Sequence, residues 1–177
     1  MNYIEYDTKN TVLKGAIAKA RTDNSVATIL DCTGELTNSF YNPETDYALK
    51  PFDLCTLNQD GDFIVKDWLN KAVKGEDKKI LWIPWSTTEK KVLNKLITTW
   101  VNSFLTQCLT LKPDSKRNIL FGVNEIESLG KIEMLKHAIS EGRKFGLSIV
   151  QSVKSVKTYE KVYGDEVYTI KGNSGIC

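Results

Sequence analysis

The sequence predicts an α/β protein with a central, mostly parallel β-sheet and helices packed on both faces. Three observations predict it. Short runs of β-branched and aliphatic residues recur along the chain, and they are apolar throughout rather than alternating, as strands covered on both faces require. Segments with a period near 3.6 residues separate these runs. The alternation of the two signals calls for crossover connections, and so for parallel strands.

The elements follow in order. Residues 11–21, TVLKGAIAKAR, place Val12, Ala16 and Lys19 at helical spacing, with Leu13 and Ile17 beside them. The run SVATILD predicts a strand over 26–31, and residues 63–73 predict a helix around Trp68, Leu69 and Val73. KKILWIPW predicts a strand over 79–84. Residues 86–111 carry the strongest helical pattern: Ser86 and Glu89 fit a capping box, in which hydroxyl and carboxylate satisfy orphan amides. Leu93, Ile97, Trp100, Phe104 and Cys108 then recur every three or four residues, and Leu96, Val101, Leu105 and Leu109 widen the stripe, which predicts a well-buried helix. NILFGV and LSIVQSV predict strands over 118–123 and 147–152. Between them, residues 131–144 put Ile132, Leu135 and Ile139 on one helical face, with Gly146 as the stop. VYTIKG, 167–172, predicts a weaker strand, and CTLNQDGD, 55–62, a surface turn.

At 177 residues the chain is long enough for one domain, 1–177, with a sizeable core. Hydrophobic residues make up 41% and charged residues 26%, which argues against disorder. A net charge of +2 gives no electrostatic case for nucleic acid by itself. No apolar run reaches the roughly 18 residues of a membrane helix, and the polar start MNYIEYDTKN is unlike a secretory signal. Cys32, Cys55, Cys108 and Cys177 lack metal-ligand spacing and read as reduced thiols of a cytoplasmic chain. His137, the sole histidine, falls on a charged helical segment and reads as a surface or half-buried residue rather than a catalytic one.

Functional signals cluster in the second half. In NILFGVNEIESLG, residues 118–130, an apolar run ends abruptly in Asn124 and Glu125. The longer text RNILFGVNEIESLGKIEMLKHAISEGRKFGLSIV, 117–150, combines a strand, an Asn-Glu pair, LGK, a helix, GRKFGL and another strand. In that combination it resembles the type IV secretion coupling ATPases, the TraD/TrwB group. ILDCTGELTNSFYNPETDYALKPFD upstream and KTYEKVYGDE downstream resemble other blocks of the group, so the likeness covers nearly the whole chain. It implies a RecA-like P-loop NTPase motor fold in truncated form, a conjugative DNA-transfer role, ATP and Mg as cofactors, and DNA with secretion-channel or relaxosome proteins as partners. It also implies a homo-oligomer, or association with a full-length relative. The group's inner-membrane anchor is not matched, nor is its helical insertion, which would fall near 54–61.

Three departures from the group's pattern bear on chemistry. A phosphate loop reads G-x-x-x-x-G-K-[ST], with glycines that let backbone amides wrap the phosphates. Here Lys9 matches the lysine, but Tyr3 and Thr8 replace the glycines and Asn10 the hydroxyl, leaving Lys9, Asn10 and Thr11 as a remnant; Glu5 and Asp7 add negative charge nearby. Asn124 stands where the pattern has the metal-holding acid, so Glu125, at the water-orienting position, works without its partner. The polar sensor pair of the next strand, counted forward from Gly146, falls on Lys154 and Ser155, while a Gln-Ser pair occurs three residues earlier at Gln151 and Ser152. No metal ligands are assigned. The expectation is therefore a reduced coupling protein with little or no ATPase activity. The alternatives are a small active NTPase with an atypical phosphate loop, and a DNA- or partner-binding module without turnover. For the last, Lys90, Lys91, Lys95, Arg143 and Lys144 supply phosphate contacts if folding gathers them.

Overall fold

The computed structural model describes residues 1–6, 9–49, 64–85 and 90–176. Among them, seven strands form one sheet in the order β3-β4-β2-β5-β6-β1-β7, with every pairing parallel. The strands are β1 (Tyr3–Glu5), β2 (Val26–Asp31), β3 (Asp46–Ala48), β4 (Ile80–Pro84), β5 (Ile119–Val123), β6 (Leu147–Ser152) and β7 (Gly175–Ile176). All four predicted strands of the central sheet are present. Each residue of β2 and of β5 is buried, as their unbroken apolar runs require.

The two faces are covered unequally. Helices α1 (Thr11–Thr22) and α2 (Glu35–Phe40) lie on one face, where Leu13, Ile17, Ala20 and Leu36 pack on Ala27, Ile29, Trp82, Leu120 and Val150. Helices α3 (Val65–Val73), α4 (Lys90–Thr110), α5 (Leu135–Glu141), α6 (Val156–Tyr163) and α7 (Glu166–Gly172) cover the other. The long α4 buries Ile97, Trp100 and Phe104 as its period predicts; the Trp100 and Phe104 rings stack at 5.7 Å. No helix among the described residues is long and apolar enough to cross a membrane.

Three expectations are adjusted. VYTIKG is not a strand: Val167 and Ile170, three apart, both face the core while Tyr168 is exposed, so a helical period holds the segment in α7. The inward face of α1 is Leu13, Ile17 and Ala20, and Lys19 turns outward to Asp23. The helix expected over 131–144 is shorter, with 3₁₀ turns at Ile126–Leu129 before it and Gly142–Phe145 after it. Ser86, Glu89 and the turn at 55–62 lie outside the described residues.

Gly146 closes the turn into β6 at φ +79°, and a Cβ there would meet the Arg117 carbonyl oxygen at 2.2 Å. Only glycine fits that approach, which is how GRKFGL aligns β6 beside β5. The connection β1–α1–β2 leaves one way along the sheet and the connection from β6 to β7 leaves the other. The carboxyl ends of β1 and β6 therefore flank a switch point, the place where α/β sheets bind ligands.

Candidate functional site

Four strand ends meet at this edge. At the end of β5, Val123 closes the apolar run and the Asn124 backbone amide still donates to Leu30 of β2. The Asn124 side chain is fully buried. Its Oδ1 accepts from the Cys32 amide at 2.7 Å, and its Nδ2 donates to Asp31 Oδ1 at 2.8 Å and Thr33 Oγ1 at 2.9 Å. Every polar atom of the amide is engaged.

Asp31, equally buried, explains why an amide stands at 124. Its Oδ1 also accepts from the Thr33 amide and hydroxyl and from the Gly34 amide. Its Oδ2 accepts from the amide and hydroxyl of Thr37, both at 2.7 Å. This carboxylate gathers the free amides at the start of α2, where an anion is favoured. A carboxylate surrounded by donors needs a donor from β5, and Asn124 supplies one where an ionised acid has none to give.

Glu125 follows at φ +45°, a left-handed conformation of the kind that side chains adopt at a cost of about 1–3 kcal/mol. Its amide donates to Ser152 Oγ at 3.1 Å. Its Oε1 pairs with Lys154 Nζ at 3.1 Å, and Cys32 Sγ lies 3.6 Å from Oε2. The hydrogen bond and charge of Glu125 hold the Lys154 ammonium above the usual lysine range. Asn124 and Glu125 thus share the carboxyl edge, but their side chains serve different partners.

At the end of β1, Glu5 is 2% exposed, and its carboxylate turns onto the start of α1. Oε1 accepts from the Val12 amide at 2.9 Å and Oε2 from the Leu13 amide at 3.3 Å. Asn10, at φ +54°, is the buried residue that opens the helix; Thr11 and Lys9 are exposed. Asp7 and Thr8 lie outside the described residues.

The last two residues of β6 are Gln151 and Ser152, both buried, and Glu5 lies directly opposite Ser152 in the ladder. Gln151 Oε1 accepts from the Tyr159 hydroxyl at 3.2 Å. Lys154 and Ser155 lie beyond the strand. Their amides donate to Glu127 Oε1 at 3.0 and 2.8 Å, and Ser155 Oγ caps α6 by accepting from the Thr158 amide. Of the residues singled out from sequence, then, Asn124, Glu125 and Lys154 meet at one edge with Glu5 and Ser152, while Ser155 serves a helix start. Asp31 and Glu127 were not singled out. The signal for Asp31 was DCTGELT, an acid followed by hydroxyl and glycine residues that mark an Asx-type turn; Glu127 had none beyond its place two residues after Glu125.

These groups do not fit a magnesium nucleotide. The Val12 and Leu13 amides at the start of α1 already hold Glu5, and the Asn124 side chain is committed to Asp31, Cys32 and Thr33. Among the described residues, no group of three or more His, Cys, Asp or Glu side chains is arranged to hold a metal ion. Nor does folding gather the three basic residues whose side chains are described: Lys95 is in the first turns of α4, near the carboxyl edge, and Arg143 and Lys144 precede β6 at the amino edge. The side chains of Lys90 and Lys91 lie outside the described residues. Cys32 and Cys108 are buried thiols that form no disulfide among the described residues, His137 is exposed, and Cys55 and Cys177 lie outside the described residues.

Comparison with known proteins agrees with this architecture. The pattern of the type IV secretion-system coupling protein DNA-binding domain matches residues 7–57 and 54–174. The coupling protein TraD of Escherichia coli is 24% identical over 104 residues, a stretch that covers 59% of this chain and 14% of TraD. Among solved structures, an unbound form of the bacterial conjugative coupling protein TrwB aligns with a TM-score of 0.80 at 17% identity, covering 97% of this chain and 67% of that one. TrwB in complex with ADP and Mg2+ aligns with a TM-score of 0.57 at 32% identity over 64% of this chain and 27% of that one. The fold is the RecA-like one of these proteins, and the chain belongs to the type IV secretion-system coupling protein family, matching its DNA-binding domain over almost its full length.

Proposed function

We propose that the chain serves conjugative DNA transfer as a coupling-protein motor domain that turns over little or no ATP. The observation that carries this reading is the commitment of Asn124. Phosphoryl transfer depends on positioning and on neutralising charge at the γ-phosphate, largely through a carboxylate-held magnesium ion. In this chain the side chain at that position is a neutral amide whose three polar contacts all go to Asp31, Cys32 and Thr33. Glu125, at the water-orienting position, faces Lys154. On this reading the domain acts in the cytoplasm by binding DNA and secretion-channel or relaxosome proteins, either as a homo-oligomer or beside a full-length relative. The coupling family's DNA-binding description supports a DNA partner.

Phosphate release at saturating Mg-ATP tests it, for the parent, Asn124→Asp and Glu125→Gln, each with and without single-stranded DNA. We expect no turnover above background in any of the three. Turnover near the roughly 1 per second floor of ordinary enzymes, lost in Glu125→Gln, overturns the reading in favour of an active NTPase with an atypical phosphate loop.

A further inference from the structure

We infer that Glu5 is an internal substitute for a phosphate group, a side chain that holds the domain's polyphosphate position closed. The inference rests on the nucleotide-site reading above and adds a cause to it: the position is filled, not merely short of glycines. Two independent contacts carry it.

The first is the carboxylate itself. Glu5 leaves the end of β1, where a buried acid needs partners, and takes the amides of Val12 and Leu13 in the first turn of α1. Unpaired amides and the helix dipole make that turn favourable for an anion. A glutamate from the preceding strand reaches it without leaving the fold, because the Glu5 carbonyl is fixed by the Val153 amide at 2.8 Å. A tethered anion competes at an effective concentration that a free ligand must exceed. It also repels any second anion brought to the same amides.

The second contact lies across the switch point. Glu125 would face the reacting end of a bound nucleotide, and Lys154 gives it a cation from within the chain. An anion on the amides and a cation on the acid leave both halves of the edge neutralised internally. The same two charges would otherwise come from a polyphosphate and its metal ion.

The test replaces the plug. Glu5→Ala removes the anion; Glu5→Gln keeps the shape and one acceptor oxygen but no charge. Circular dichroism and a thermal melt establish which variants fold. Binding is read with a fluorescent trinitrophenyl-ATP probe without metal, displaced by inorganic pyrophosphate. We expect no saturable, pyrophosphate-sensitive binding by the parent. A folded Glu5→Ala chain should bind at least about tenfold more tightly than the parent, the scale of one helix-terminus anion contact, and pyrophosphate should raise its melting temperature. Glu5→Gln should fall between the two. If Glu5→Ala does not fold, any gain by Glu5→Gln over the parent sustains the inference. A folded variant with no gain overturns it, as does a parent that binds as tightly as its variants. Turnover by the parent would instead overturn the nucleotide-site reading, so the two failures are separable.

Discussion

Asn124→Asp is the substitution that would restore the metal-holding acid on paper, and the structure predicts that it damages the fold instead. It replaces the Nδ2 donor 2.8 Å from Asp31 Oδ1 with a second acceptor. Losing a hydrogen bond to a charged group costs roughly 1.5–3 kcal/mol. Two buried carboxylates about 3 Å apart cannot both stay ionised, and an uncompensated buried charge costs roughly 3–5 kcal/mol. The Cys32 amide still donates to the new carboxylate and the Thr33 hydroxyl can turn toward it, which offsets part of the loss. The net penalty should be about 3–5 kcal/mol, a large share of the roughly 5–15 kcal/mol of a domain. The sign with pH follows from proton binding. The folded variant relieves repulsion by holding one proton between the two acids, so it binds more protons than the unfolded chain and gains stability as pH falls. Urea unfolding of parent and variant should therefore show a larger gap at about pH 8 than at about pH 5. A penalty below about 1 kcal/mol without pH dependence refutes the reasoning. So does full recovery of the variant's stability on adding magnesium, which would mean that the edge accepts a metal.

Trp100→Ala should cost about 3–5 kcal/mol in the same assay, because the ring is buried and stacked on Phe104; a loss below about 0.5 kcal/mol would place the helix face at the surface. Arg21→Ala should cost about 2–4 kcal/mol, since Arg21 donates through both terminal nitrogens to the fully buried carboxylate of Asp46, which would retain only Trp82 Nε1 and its loop partners. Gly146→Ala should lower the melting temperature more than any exposed glycine change, because its Cβ has no room beside Arg117. Burial raises the thiol of Cys108 from 9.0 and the hydroxyls of Tyr159 and Tyr163 from 10.0. The folded chain then keeps protons that the unfolded chain releases, so stability is full below these values and falls as pH rises above 9.0. A urea midpoint that is flat or rising with alkalinity would contradict this.

The central sheet was legible because its strands are covered on both faces. VATILD, ILWIP and ILFGV carry the apolar demand of both layers in their own composition, and α4 repeats its stripe over many turns. The short elements were not: β1, β3 and β7 have two or three residues each, and the ladder that makes them strands is contributed by their neighbours. VYTIKG misled because six residues rich in β-branched side chains carry propensity but too few turns to display a helical period. At the site, sequence spacing placed Asn124 and Glu125 at the strand end, and it marked Glu5 as an unwelcome charge near a phosphate. It could not show that Asn124 answers to Asp31, 93 positions earlier. Nor could it show that Glu5 folds onto α1, since that contact depends on where β1 ends relative to the helix start.

The backbone amides of Val12 and Leu13 report most directly on whether nucleotide can enter this site. Their chemical shifts, followed in an assigned ¹⁵N spectrum during a titration with Mg-ATP, should stay unchanged up to millimolar nucleotide, because both amides already hold the Glu5 carboxylate. Large saturable shifts at these two amides, matched by shifts at Glu125, would show that nucleotide displaces Glu5 and would contradict the account.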